Sequence, residues 1–126
     1  MGDNYFKNKR VVIIGASGNL GQAYTQAFFQ AGAHLFLLGR NMNKLASFSE
    51  NIASKIPICS VDITNETSIK VAVSEVQKWS GNIDIVINAT GFDVRKSLLS
   101  HSEEEINQTM TINLIGAILV SKHFLP

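Results

Sequence analysis

The chain has one cysteine, two prolines and no surplus of charge of either sign, and each shortage removes a class of answers. Cys59 alone cannot close an internal disulfide, and no basic segment leads into a long apolar run, so a secreted, disulfide-stapled module is excluded and a cytoplasmic protein is expected. Pro57 and Pro126 form no Pro-rich linker, and no repeat or low-complexity tract divides the sequence. Residues 1–126 therefore read as a single domain, long enough to bury a core without staples. Eleven basic and ten acidic side chains leave a net charge of +1, scattered along the chain, so neither nucleic acid nor a membrane surface is an expected partner. His34, His101 and His123 stand far apart, and none has zinc-ligand spacing to Cys59, so no metal site is expected. Met1-Gly2 could open a myristoylation signal, but Phe6 occupies the place where that signal takes Ser or Thr.

What the chain does have is alternation. Apolar runs at Val11 to Ile14, His34 to Leu38, Ile58 to Val61 and Ile83 to Ile87 are each followed by a helical pattern. Runs without polar alternation are buried on both faces, which is what parallel strands covered by helices require. The fold class is thus α/β, a doubly wound parallel sheet of Rossmann type, with its first four strands and their flanking helices. In the first helix, Leu20, Ala23, Tyr24, Ala27, Phe28 and Ala31 fall on one face, and Gly32 is placed to end it in a left-handed conformation. In the third, Ile69, Ala72, Val73, Val76 and Trp79 make the stripe, with Thr64 as N-cap and Glu66 in the first turn. Ser102 and Glu105 have capping-box spacing, so a helix begins near Glu103 and runs toward Met110.

The most informative segment is Gly15-Ala16-Ser17-Gly18-Asn19-Leu20-Gly21, between the first strand and the first helix. A helix N-terminus offers unpaired N–H groups and the positive end of a dipole, and glycines let a diphosphate approach that backbone. Gly15, Ser17, Gly18, Asn19, Leu20 and Gly21 are therefore expected to bind a dinucleotide. The spacing is G-x-x-G-x-x-G, and Ser17 stands where the common G-x-G-x-x-G fingerprint has its second glycine. A tight turn without a ligand is the competing reading of the glycines alone. At the end of the second strand, where NAD-binding folds usually place an acid for the ribose hydroxyls, the chain has Gly39 and Arg40. A guanidinium suits a 2′-phosphate, which selects NADP, while a solvated surface arginine is the alternative. Taken singly, Asp62 serves equally as a helix-capping or loop acid, and Asn88 as a satisfied strand-end amide.

Together these residues resemble the short-chain dehydrogenase/reductase family. The resemblance rests on the glycine turn, Arg40, Val61-Asp62-Ile63, Asn88-Ala89-Thr90-Gly91 and Asn113-Leu114-Ile115-Gly116, in the family's order. Ile14 stands where the family often has Thr, Asn19 replaces a glycine of the commonest turn, and Ala89 and Thr90 alter its Asn-Asn-Ala-Gly segment. The resemblance implies that Asp62 and Ile63 flank the adenine, that Asn88, Ala89 and Gly91 lie on the inner ribose side, and that Asn113 is the catalytic asparagine. It also implies an NADP-dependent oxidoreductase moving hydride between nicotinamide and a carbonyl or alcohol, of which this chain is the amino-terminal half.

The family's chemistry needs a Tyr and a Lys four residues apart, and no such pair follows the fourth strand. A positioned acid or base contributes about 10²- to 10⁴-fold, so this chain alone is expected to be inactive, its small-molecule substrate belonging to a complete chain. Tyr5 and Lys9 have the spacing but precede the first strand, and Tyr24 reads as core. The alternative is a catalytically silent NADP-binding sensor or interaction module. Ile83 to Ile87 reads as a fully buried central strand with no later strand to pair with it. The last helix has one stripe of Ile112, Ile115, Gly116, Leu119 and Val120, and another of Leu114, Ala117, Ile118 and Phe124. One stripe faces the sheet and the other calls for a partner, so a homo-oligomer, or an isolated half of poor stability, is expected.

Overall fold

The computed structural model describes residues 4–53 and 55–126; Met1 and Gly2, weighed above as an acylation signal, lie outside the described residues. The four apolar runs become strands β1 (Arg10–Ile14), β2 (His34–Gly39), β3 (Ile58–Ser60) and β4 (Ile85–Asn88). Helices α1 (Asn19–Gln30), α2 (Met42–Ile52) and α3 (Glu66–Trp79) join them in turn. After β4 come α4 (Glu103–Met110) and α5 (Ala117–Phe124).

All pairings are parallel, in the order β3-β2-β1-β4, with Val12 opposite Phe36 on one side and Val86 on the other. Successive side chains of a strand go to opposite faces, and the two faces make two cores. Val11, Ile13, Leu35 and Leu37 pack with Leu45 and Phe48 of α2, while Val12, Ile14, Phe36 and Leu38 pack with Ile69, Ala72 and Val76 of α3 and Val120 of α5. This is the expected doubly wound α/β sheet. The chain steps outward from β1 to β3 and then returns to lay β4 on the other side of β1, so the strand order reverses between β1 and β4. Open α/β sheets take their ligands in the crevice beyond the carboxyl ends at such a reversal.

Four local expectations are corrected. The buried residues of α1 are Gly21 and Thr25, with Phe28 packed partly against the core, whereas Leu20 is 58% and Tyr24 37% exposed. The reason is closeness: an ideal Cβ on Gly21 would sit 2.0 Å from the Gly15 carbonyl oxygen, so the smallest residue, not the most apolar, faces the sheet. Thr25 tolerates burial because its hydroxyl donates to the Gly21 carbonyl at 2.7 Å. Second, Asn65 rather than Thr64 caps α3, accepting from the Ser68 amide at 3.1 Å, while the Thr64 hydroxyl is spent on Asp62. Third, β4 is the expected edge of the described sheet, but its three apolar residues are half-buried and not fully buried, because β1 alone pairs with it.

The fourth concerns the last helix. The Ser102–Glu105 capping box forms as expected, but α4 runs on into α5 through a π-helical segment, Thr111–Gly116. A π turn adds a residue to the ladder, so a stripe counted straight through it at 3.6 residues per turn is misplaced. Ile112, Gly116 and Val120 face inward with Leu119 and Phe124 beside them, and Ile115 turns outward with Leu114 and Ile118. The far end of α5 is tied to α3 by the Glu66 carboxylate, which accepts from Lys122 Nζ at 2.9 Å and lies 2.7 Å from His123 Nε2. The Lys122 ammonium, and then His123, hold that carboxyl down to about 2.

Candidate functional site

A cavity of about 460 Å³ opens at the strand-order reversal, within the ordinary range for ligand pockets of about 300–1,000 Å³. Gly15, Ser17 and Gly18 line it from the β1–α1 turn, Arg40 from the end of β2, Asp62 and Ile63 from beyond β3, and Ala89 and Gly91 from beyond β4. Eight residues expected from sequence are thus brought to one cleft by four different strand ends. Gly15 makes this convergence possible: its φ of +77° suits glycine, and a Cβ there would stand 3.0 Å from the Ala89 carbonyl carbon and the Thr90 nitrogen.

The turn's main-chain donors divide into two sets. The Gly15 and Ala16 amides both donate to the Leu38 carbonyl, at 2.8 and 3.1 Å, and the Gly18 amide donates to the Gly15 carbonyl at 3.1 Å. These are committed to holding the turn. The first intrahelical bond runs from the Gln22 amide to the Gly18 carbonyl at 2.8 Å, and Gly18 provides no side-chain cap. Among the described residues, the amides of Ser17, Asn19, Leu20 and Gly21 are left without a main-chain partner, as expected of a helix's first turn. No acidic side chain occupies the first turn of α1, so the positive end of its dipole is uncompensated. Asn19 and Leu20 are exposed beside the cleft without lining it, and Gly21 is buried against Gly15.

The charge of the lining is mixed and segregated. Arg40 and Lys44 bring two cations to the mouth, and neither is in an ion pair among the described residues. Asp62 is the acid of the lining. Its Oδ1 accepts from the Thr64 hydroxyl at 2.6 Å and the Thr64 amide at 2.9 Å, which hold the carboxyl below its ordinary range, with the Arg40 charge adding to the effect. The Ile63 side chain is buried under Gly116, where a Cβ would come within 2.7 Å of it. A second, shallower cleft shares Arg40, Thr64, Gln108 and Ile112 with the first and adds Glu103, Glu104, Asn107 and Thr111.

Asn88 and Asn113, like Asn19, Leu20 and Gly21, stand outside the lining. Asn88 spends its Oδ1 on the Thr90 amide and hydroxyl, closing the turn after β4. Asn113, in the π segment, clasps one residue of the connection after β4 at both ends: its Oδ1 accepts from the Phe92 amide at 2.8 Å and its Nδ2 donates to the Phe92 carbonyl at 2.7 Å. Phe92 lines the cavity, so Asn113 reaches the site through that main chain. Asn41, Lys44, Thr64, Thr90, Phe92, Gln108 and Ile112 join the lining without having been expected. Only Asn41 and Lys44 had a legible signal, a cap residue and a cation one turn into the helix after Arg40; the Asn41 side chain accepts from the Lys44 amide at 3.0 Å. Tyr5 and Lys9 lie before the amino end of β1, opposite the cleft, with the ammonium 5.8 Å from the ring centroid.

Among the described residues no helix is long and apolar enough to cross a membrane. A family model described as short chain dehydrogenase matches residues 9–126. Dehydrogenase/reductase SDR family member 7B of Bos taurus is 33% identical over 131 residues, which cover 97% of this chain and 40% of that protein. A solved short-chain dehydrogenase/reductase described as glucose/ribitol dehydrogenase, from Brucella melitensis, superposes with a TM-score of 0.89 at 25% identity over 95% of this chain and 52% of that one. A short-chain type dehydrogenase/reductase from Mycobacterium ulcerans gives 0.86 at 26% identity, covering 94% and 46%. The chain spans about half the length of the relatives it matches.

Proposed function

The chain belongs to the short-chain dehydrogenase family, and from that premise we propose that it is an NADP-binding unit whose complete form is an oxidoreductase acting on a carbonyl or alcohol. The observation that carries this reading is the set of amides at Ser17, Asn19, Leu20 and Gly21, which have no main-chain partner among the described residues, beside a cleft lined by Arg40 and Lys44. The diphosphate is held by those main-chain donors at the N-terminus of α1. Gly15 and Gly18 keep the backbone close, and Arg40, with Lys44 behind it, takes the 2′-phosphate. Asp62 and Ile63 border the adenine, and Asn88, Ala89 and Gly91 form the ribose side of the cleft.

When bound, the nicotinamide supplies or takes up hydride. The chain's own contribution is orientation. Asn113 is a positioning residue that fixes Phe92 at the cavity wall, and the close fit of Gly15 against Ala89 keeps the two sides of the cleft in register. No tyrosine follows Tyr24 in this sequence, so the proton-handling group of the reaction is not among these residues. The outward residues Leu114, Ile115 and Ile118, about half exposed each, suit a second copy packed on α4 and α5. The lone Cys59 fits a reducing, cytoplasmic setting.

Calorimetric titration of the chain with NADP⁺ and NAD⁺ tests the reading without requiring turnover. Saturable 1:1 binding, tighter for NADP⁺ by about tenfold or more, is expected from one charge-assisted contact to the 2′-phosphate. Equal affinities would remove the NADP assignment, and no heat with either nucleotide would remove the site.

A further inference from the structure

The connection between β4 and α4 is folded around one imidazole. His101, half-buried just before α4, places Nδ1 3.0 Å from the Ser97 carbonyl oxygen and Nε2 3.0 Å from the Val94 carbonyl oxygen. Carbonyl oxygens only accept. A neutral imidazole has one N–H and one lone pair, so one of its nitrogens would face a carbonyl lone pair across hydrogen-bonding distance. The imidazolium alone donates from both nitrogens. We infer that His101 is a proton-operated staple: charged, it closes residues 94–101 into a compact loop, and neutral, it releases one of the two carbonyls and loosens the connection that leads from Phe92 to α4. The inference does not rest on the identity of the cleft's ligand.

The charged groups around this loop are Asp93, Arg95 and Lys96 on the connection and Glu103, Glu104 and Glu105 on α4. Arg95 pairs with Asp93 at 3.1 Å, and Lys96 with Glu105 at 2.7 Å. Glu105 is held below its ordinary carboxyl range by Lys96 and then by the Ser102 amide, so it stays ionised where imidazoles titrate. The Lys96–Glu105 tie is therefore constant across that window, and the titrating contact is the ring. Making both bonds at once needs the second proton, so the doubly tied loop belongs to the acid side and one of its ties is lost as pH rises.

The connection also carries the cleft's wall. Phe92 lines the cavity and is clasped by Asn113, two residues before Val94, whose carbonyl oxygen lies 3.0 Å from His101 Nε2. Opening the staple loosens the connection between that clasp and the Lys96–Glu105 tie, so proton occupancy of His101 sets how firmly the rim of the cleft is held.

Amide hydrogen exchange of residues 92–101 in the full chain, corrected for the intrinsic pH dependence, tests this from about pH 5 to about pH 8. Protection in the native sequence should fall about threefold to tenfold as pH rises, the equivalent of one lost hydrogen bond. In His101→Gln it should be flat with pH, and in His101→Arg flat and high. The ring nitrogens of the unsubstituted chain are an independent readout if a variant fails to fold: at the acid end both should be protonated and coupled to the carbonyls of residues 94 and 97. A single neutral tautomer at the acid end, or an unchanged pH dependence in His101→Gln, would overturn the inference.

Discussion

Gly21→Ala is expected to destabilise this chain far more than any other single methyl group added to a glycine of its helices. The added Cβ would stand 2.0 Å from the Gly15 carbonyl oxygen, 2.8 Å from the Ala16 Cα and 2.8 Å from the Gly15 carbonyl carbon. All three are backbone atoms of a turn held by the Leu38 carbonyl, so no side chain can swing away to make room. The helix must back off the sheet instead, breaking the approach that buries Thr25 and aims the first-turn amides. Overpacking costs typically about 1–3 kcal/mol and sometimes more, a large share of a domain's net stability of about 5–15 kcal/mol. Gly81→Ala is the matched control, because a Cβ there meets nothing within 4 Å, and its effect should stay within about 0.5 kcal/mol. Urea midpoints of the two variants decide the matter. Equal midpoints would mean that the close packing of α1 on the glycine turn has no energetic consequence.

Arg40→Asp is expected to reverse cofactor preference rather than to unfold the protein. Arg40 is exposed at the end of β2 and takes part in no ion pair among the described residues, and the Asp62 carboxylate that feels its charge is held mainly by Thr64, so the substitution strands no buried partner. A charge-assisted hydrogen bond contributes about 1.5–3 kcal/mol, and each 1.4 kcal/mol is a factor of ten in affinity. Binding of NADP⁺ should therefore weaken by about tenfold to a hundredfold. Binding of NAD⁺ should hold or improve, since a carboxylate there can accept from the ribose hydroxyls. Lys44→Gln should weaken NADP⁺ binding in the same direction but by less, because its ammonium, in the first turn of α2, is a point charge without the planar fork of a guanidinium. Parallel losses for both nucleotides in Arg40→Asp would show that the guanidinium supports the cleft generally and reads no phosphate.

How much of this was legible in the sequence depended on whether the deciding interaction was local. The Ser102–Glu105 capping box and the left-handed Gly32 involve neighbours in the chain, and both appear where their residue types predict. The four strands did too, because an apolar run bounded by turn residues is a local signal. Faces of helices were harder. The stripe assigned to α1 followed hydrophobicity, whereas the buried side was chosen by how closely the helix approaches Gly15. In the last helix, the π segment shifted the count between Ile112 and Phe124, and nothing in a 3.6-residue period announces an extra residue.

The site divides in the same way. The glycine turn, Arg40, Asp62 and the Ala89–Gly91 stretch each sit at the end of a strand, so order along the chain was enough to bring them to the cleft. Asn113 illustrates what was hidden: its partner is the main chain of a residue 21 positions away, and a side chain that binds backbone leaves no pattern in the partner's identity. Ile112 reaches the cleft because the helix continues past Met110 into the π segment. Asn88 also stands at a strand end, and its Oδ1 accepts from the Thr90 amide and hydroxyl in a turn two residues long that holds the main chain beside the cleft.

The central claim is that four uncommitted amides of the β1–α1 turn hold a diphosphate, and a ¹H–¹⁵N correlation spectrum recorded during addition of NADP⁺ addresses those amides one by one. The account predicts that Ser17, Asn19, Leu20 and Gly21 shift together and saturably, while Gly18, whose amide already donates to Gly15, shifts less. Saturable binding that leaves those four signals in place and moves others would contradict it.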